Sequence, residues 1–295
     1  MKRYEEWIVA YRKRQDQQLL PDSQDRPFQT IPNTWRYWAA DPHLLEYEGQ
    51  TYVFAELYDR VLRRGVIGYC RILSNGCSKW KVVLKKPYHL SYPHVFLADG
   101  AVYMIPESYG AKEIAVYRAD SFPDHWVKHQ ILKENCIAVD STVFSAGGSF
   151  WMQTLEYIQG LPAFQLYGFH NGTISDSPLL ISDSDKNSRP AGNMFFYNGK
   201  LIRPAQDSSH GYGYALNFYH VTELSEESYR EALLTKVLPS AIHSDLASTP
   251  QGIHTYNFSA YYEVIDLKEY KVDWLSYVMR PVWFIWRRVK RALGR

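Results

Sequence analysis

A short unit recurs at a nearly constant interval along this 295-residue chain, and that repeat restricts the fold more than any other feature. Each copy runs from a polar or proline-containing corner, through an apolar pair and a glycine turn, into an aromatic segment. The first reads Ala40-Asp41-Pro42-His43-Leu44-Leu45, Gly49, Tyr52-Val53-Phe54, and the second Tyr92-Pro93-His94-Val95-Phe96, Gly100, Val102-Tyr103-Met104. The third reads Val139-Asp140-Ser141-Thr142-Val143-Phe144, Gly148, Phe150-Trp151-Met152, and the fourth Arg189-Pro190-Ala191-Gly192-Asn193-Met194-Phe195, Gly199, Leu201-Ile202. The turn glycines Gly49, Gly100, Gly148 and Gly199 stand 51, 48 and 51 residues apart. A weaker fifth copy opens at Gly252-Ile253-His254-Thr255 and lacks the glycine turn.

Two apolar segments around a tight turn form a β-hairpin. Further strand-like segments at 66–71, 81–84, 114–118 and 163–169 bring each period to about four strands. A period near 50 with four strands predicts an all-β, five-bladed β-propeller. A two-sheet sandwich also spaces short strands regularly, but it does not explain one corner recurring every period. The strand-like segment 7–12 is placed to complete the last blade and close the ring. Residues 224–238 read equally as helix or edge strand. We read 1–270 as one propeller and 271–295 as an appendage.

That appendage is a predicted basic amphipathic helix. Leu275, Val278, Met279, Val282, Ile285, Trp286, Val289 and Leu293 fall at helical spacing, with Arg280, Arg287, Arg288, Lys290, Arg291 and Arg295 around them. Trp274, Trp283 and Trp286 add interfacial aromatics, so 274–295 reads as a peripheral anchor on an anionic membrane surface. Packing against the propeller or a partner subunit is the alternative. The chain's net charge is only +2, so without this tail it is net acidic, which argues against nucleic-acid binding. Three cysteines without metal-ligand spacing, and an N-terminus without a signal-type apolar core, predict a cytoplasmic protein at the inner face of the membrane. Hydrophobic residues at 46% and charged residues at 22% exclude a disordered chain. The 24 tyrosines suit short strands and sugar faces alike.

In a propeller the corners of the innermost strands converge on one mouth of the central channel. Here they are Asp41, Tyr92, Asp140, Arg189 and His254. Asp41 and Asp140 form the natural acid/base pair of glycosidic chemistry, with an Asx-turn or strand cap as the bland alternative. Glu107 ends the second strand of its repeat and is weighed evenly between channel acid and solvated strand end. Glu56, its counterpart one repeat earlier, reads as a solvated strand end. Arg189 and Arg203 suit a carboxylate or phosphate, or an inter-blade ion pair. His89 suits a sugar hydroxyl or phosphate. His89 and His94 are five apart, so strand alternation turns them to opposite faces and no metal is expected. Gln206, Asp207 and Tyr212 lie beside the fourth corner. No phosphate loop, dinucleotide fingerprint, nucleophile elbow or zinc motif appears, so no cofactor is expected.

Several of these corners carry a family resemblance. His89-Leu90-Ser91-Tyr92-Pro93, Met104-Ile105-Pro106-Glu107-Ser108, Tyr117-Arg118-Ala119-Asp120 with Phe122-Pro123, and Asp140-Ser141-Thr142-Val143-Phe144 come first. Arg189-Pro190-Ala191-Gly192, Arg203-Pro204-Ala205-Gln206-Asp207, Tyr212-Gly213 and Gly252-Ile253-His254-Thr255 follow in order. Together they resemble the N-terminal propeller domain of plant glucosamine inositolphosphorylceramide transferases and its single-domain bacterial relatives, over roughly residues 35–266. The resemblance implies a propeller in a glycan or glycolipid context. In the plant enzymes a separate C-terminal domain looks like the nucleotide-sugar transferase, so the reaction stays open. More distantly, Ala40-Asp41-Pro42 with Gly49 and Tyr52 is similar to arabinanase and xylosidase propellers, which implies Asp41 as a general base. Three functions follow as expectations. The first is a glycosyltransferase in cell-surface polysaccharide or glycolipid assembly, with a glycan or glycolipid acceptor and a nucleotide sugar. The second is a non-catalytic glycan-binding module serving a partner transferase. The third is a glycoside hydrolase or phosphorylase. In the catalytic reading Asp41, Asp140 and Glu107 react, and His89, Tyr92, Arg189, Arg203, Gln206, Asp207, Tyr212 and His254 bind.

Overall fold

The computed structural model describes residues 3–14, 26–182 and 189–272. They form five antiparallel sheets of four or five strands. Blade I is Tyr37–Tyr47, Gln50–Asp59 and Arg64–Leu73, with Gly76–Cys77 and Lys81–Leu84 sharing the outer position. Blade II is Ser91–Ala98, Ala101–Glu107, Glu113–Ser121 and His125–Glu134. Blade III is Ala138–Ala146, Ser149–Ile158 and Leu161–His170, edged by Thr173–Ile174 and Leu179–Ser182. Blade IV is Phe195–Tyr197, Lys200–Asp207, Ala215–Leu224 and Tyr229–Val237.

Blade V is built from both ends of the described chain. Arg3–Lys13 lies between Tyr262–Val272 and Gln29–Thr30, with Tyr256–Phe258 innermost. The strand-like N-terminal segment thus closes the ring, as its sequence predicts. The ambiguous 224–238 region resolves to the outer strand of blade IV, where it pairs along Ala215–Leu224. The last strand continues to Val272, two residues past the expected boundary. The helix expected further on, in residues 273–295, lies outside the described residues.

The core is not one mass. An apolar cluster fills each gap between neighbouring blades. Phe54, Ile67, Val95 and Met104 pack between I and II, and Ile105, Val116, Met152 and Tyr167 between II and III. Phe144, Trp151 and Leu201 join III to IV, Ile202, Phe218 and Ile265 join IV to V, and Val9, Val53 and Val264 join V to I. Sheet faces packed in this way leave the channel to polar side chains.

Three inner strands are bulged at the same point. Register slips by one between Ala40 and His43, between Ser91 and His94, and between Val139 and Thr142. Asp41, Tyr92 and Asp140 take left-handed backbone there, with φ of 52°, 41° and 55°. Non-glycine residues rarely adopt this region, and such strain persists where the surroundings over-determine it. In blade IV the corresponding strain falls on Gly192, with φ 135° and a backbone so close to its neighbour that a Cβ would lie 2.0 Å from the Tyr256 carbonyl oxygen. Gly192→Ala is therefore expected to destabilise the protein by more than about 2 kcal/mol. Chemical denaturation of that variant checks this, and an unchanged midpoint would show that blades IV and V do not meet so closely.

Candidate functional site

The bulges turn Asp41, Tyr92 and Asp140 into the channel, and second-strand residues meet them there. Counting seven residues on from each turn glycine reaches Glu56, Glu107 and Gln206 in blades I, II and IV. Strand alternation puts these equivalent positions on one face, towards the channel.

Two linked networks result. In the first, Arg189 donates from Nε and Nη2 to the wholly buried Asp140 carboxylate, and Nη2 lies 3.4 Å from Glu107 Oε2. Gln206 Nε2 donates to Asp140 Oδ2 at 3.2 Å. The Arg189 guanidinium sits 5.6 Å over the Tyr212 ring. In the second, the Asp266 carboxylate gathers blades I and V. It accepts from the backbone N–H groups of Asp41, His254 and Thr255 at 2.9, 3.0 and 2.9 Å. His254 Nδ1 lies 2.5 Å from Asp266 Oδ2, and its Nε2 lies 3.6 Å from Asp41 Oδ1. Thr255 Oγ1 donates to Asp41 Oδ1 at 3.1 Å, and the Tyr92 N–H to Asp41 Oδ2 at 3.3 Å. Trp7 stacks flat on His254 at 3.9 Å.

Five carboxyl groups therefore face two strong cationic partners, Arg189 and His254, and the imbalance appears as proton affinity. Burial, then the charges of Asp140 and Asp266, push Asp41 up to about 6 against the pull of His254. Burial, then Asp41 and Glu107, raise Glu56 well above the carboxylate range. Burial, then Asp140, do the same for Glu107. Burial opposes the charge on His254, but Asp266 and Asp41 outweigh it and raise its affinity for a proton. The site thus sets Glu56 and Glu107, which hold their protons more tightly than an ordinary glutamic acid, beside a carboxyl that ionises near pH 6, an acid-and-base combination suited to proton transfer.

Among the described residues, Asp41, His254 and Asp266 offer ligand atoms within 4.8 Å of one another, a donor set compatible with a divalent cation. The His254–Asp266 pair, the Thr255 hydroxyl on Asp41 and the backbone N–H groups on Asp266 already engage most of those atoms. Three other histidines stay neutral. His89 accepts from the Gly65 N–H at Nδ1, which leaves its Nε2 proton towards Glu56 Oε1 at 3.4 Å. Burial pushes His43 down to about 3 and His94 down to about 4. His94 wedges between Asn193 and the Val143 N–H, away from His89.

Two predicted binding residues are corrected. Arg203 is not at the channel mouth: it forks onto Glu231 at 2.7 and 2.6 Å and lies between the rings of Phe164 and Tyr219 at 4.4 and 4.9 Å. Asp207 pairs with Lys236 on the outer strand of its own blade and caps Ser209 at 2.8 Å. Both stand on the opposite face of their strand from Gln206, because an odd offset along a strand reverses the face. Glu56, read as a solvated strand end, is buried among the acids. Its glycine offset equals that of Glu107 and was the available signal. Asp266 escaped because blade V has no turn glycine from which to count. Trp38 and Tyr58 were also missed. They pair across blade I two residues along from the Ala40–Glu56 pair, on the same strand face as Glu56, and stack at 4.7 Å.

With this geometry established, comparisons with known proteins separate fold from family. The solved structures it resembles include an α-L-arabinofuranosidase from Podospora anserina, with a TM-score of 0.56, 11% identity, and 74% of this chain and 76% of that one covered. A β-xylosidase/α-arabinofuranosidase from a compost microbial metagenome gives 0.56 at 13% identity, over 81% and 91%. At such identities the likeness is one of fold. In sequence, glucosamine inositolphosphorylceramide transferase 1 of Arabidopsis thaliana is 30% identical over 210 residues, 65% of this chain and 26% of that protein. Its counterpart in Oryza sativa subsp. japonica is 29% identical over 207 residues, 66% and 27%. The chain thus spans about a quarter of the length of these curated relatives. The model of the N-terminal region of that transferase matches residues 32–258. The chain belongs to the family of the glucosamine inositolphosphorylceramide transferase 1 N-terminal region.

Proposed function

We propose that this propeller catalyses glycosyl transfer to a glycan or glycolipid acceptor at the channel mouth. The observation that carries the reading is the convergence of Asp41, Glu56, Glu107 and Asp140 on Arg189 and His254, with carboxyls of raised proton affinity side by side. Asp41 takes the proton of the acceptor hydroxyl as that oxygen bonds to the anomeric carbon. The donor's anomeric C–O bond breaks, and Glu107 protonates the departing oxygen. Arg189 offsets negative charge on the donor, such as a nucleotide phosphate. The stacked pair of Trp38 and Tyr58, two residues along from Glu56, offers an aromatic surface for the acceptor's sugars. The glycolipid setting of the named relatives supports the acceptor class. The six positive charges of the tail support residence at the inner membrane face. Deleting 273–295 is expected to abolish pelleting with vesicles containing anionic lipid, and pelleting that survives the deletion would remove the tail from this account.

The base must be ionised, so activity is expected to rise as pH passes through about 6, the value that burial imposes on Asp41. A pH–rate profile flat from 5 to 8 would exclude Asp41 as the base. The direct test incubates the protein with nucleotide sugars and a membrane-glycolipid extract and reads products by mass spectrometry. An acceptor heavier by one sugar supports transfer; free sugar or sugar 1-phosphate would redirect the reading to hydrolysis or phosphorolysis.

A second reading, glycan binding on behalf of a separate transferase, draws on one observation: Asp41, Glu107 and Asp140 are all buried. Glycolipid retention without any product, equal in wild type and Asp41→Asn, would favour it.

A further inference from the structure

A second concave site lies on the opposite face of the propeller. Ser91–Ala98 and Ala138–Ala146 carry Tyr92 and Asp140 near one end and reach this cavity at the other. The cavity measures about 770 Å3, within the usual range of small-ligand sites of about 300–1,000 Å3. It opens between blades II and III.

Aromatic side chains line it. Phe96 and Tyr103 stack with centroids 5.8 Å apart, and His129 continues the row 5.5 Å from Tyr103. Phe150 stands on the facing blade and is 55% exposed. A large ring left in water is unremarkable alone, but this one borders a cavity already walled by other rings. The polar groups around it are Asp99, Gln130, Ser145 and Asn171, and among the described residues no lysine or arginine lines the cavity. The walls are preformed, because three tight turns build them. Asp99-Gly100, Gly147-Gly148 and Asn171-Gly172 all take left-handed backbone.

We propose that this cavity is a second carbohydrate-binding site, which takes an uncharged segment of an oligosaccharide and does no chemistry. Flat apolar faces combined with amide, hydroxyl and imidazole groups match a sugar ring, which is apolar on its C–H face and polar around its edge. An acyl chain would bury Gln130, Ser145, Asn171 and His129 without hydrogen-bond partners, at a penalty for each. A phosphate or sugar acid would find a carboxylate at Asp99 and, among the described residues, no lining lysine or arginine. The site's distance from the acids at the mouth makes it a tether for an extended glycan, and it stands whether or not those acids are catalytic.

Saturation-transfer NMR with cellotriose, xylotriose and maltotriose as probes, and dodecanoate as the acyl control, tests the proposal on the full-length protein. At least one trisaccharide is expected to receive saturation from the wild type. Phe150→Ala is expected to weaken that binding about tenfold. Ser145→Trp, which fills the cavity from an exposed position, should abolish it, and the melting temperature of both variants should match the wild type. Asp41→Asn should bind as well as the wild type, which keeps this site separate from the fate of the mouth. The proposal is overturned if no trisaccharide is saturated, or if Phe150→Ala and Ser145→Trp both bind unchanged. It also falls if dodecanoate displaces the sugar, or if binding is lost in Asp41→Asn.

Discussion

Asp41→Asn is expected to lower product formation by about 10²–10⁴-fold, the contribution of a positioned base, while raising stability at pH 8. The two effects share one cause. Burial and the neighbouring Asp140 and Asp266 raise the Asp41 carboxyl from 3.8 to about 6. The folded state thus holds this proton more tightly than the unfolded state. The resulting stabilisation is fully present below pH 4 and is lost as pH rises through about 6. At pH 8 the ionised carboxylate opposes folding by on the order of 3 kcal/mol. Asparagine removes that charge. Its single amide oxygen cannot serve both the Thr255 hydroxyl and the Tyr92 N–H, which returns about 1 kcal/mol. A net gain of roughly 1–2 kcal/mol at pH 8 is expected, shrinking to nothing or reversing at pH 4. Thermal melts at both pH values check the sign. A variant that melts lower at pH 8 would mean that the Asp41 charge is stabilised by His254 more than it is penalised by burial.

Arg189→Met is the other large effect, in the opposite direction. The Arg189 side chain is 21% exposed, but the Asp140 side chain it serves is 0% exposed, and Glu107 shares the same cation. Removing the guanidinium leaves a buried carboxylate without its ionic partner, with the Gln206 amide and the Glu107 carboxyl as its remaining side-chain contacts. Loss of one member of such a pair costs about 3–5 kcal/mol, or on the order of 10 °C in melting temperature. Adding Asp140→Asn to Arg189→Met should restore part of the stability at pH 8, because the uncompensated charge is then gone. An Arg189→Met protein as stable as the wild type at pH 8 would mean that Asp140 does not depend on this cation.

Both predictions rest on residues that the repeat exposed before any coordinates. Asp41 and Asp140 occupy equivalent corners, and Glu107 sits at a fixed offset from its turn glycine. The same offset contained Glu56, but one acid at a strand end reads as solvated until the ring brings its neighbours round. Arg203 shows the converse error. A residue can lie within a few positions of the corner and still face the blade interior, because each step along a strand reverses the face. Asp266 lay in the one repeat whose turn glycine is missing, so no offset reached it.

The amino-acid sequence by itself determined the number of blades, the strand that closes the ring and the acidic corners. These follow from local rules that act at a constant spacing: alternation along a strand, tight turns at glycine, and a period near 50 residues. Only the tertiary structure decided which charges share the channel, which carboxyls bind their protons more tightly, and where rings from two blades border a second cavity. Those outcomes depend on distances between residues as far apart as Asp41 and Asp266 in the chain. Burial and charge coupling act through space, and no spacing along the sequence encodes them.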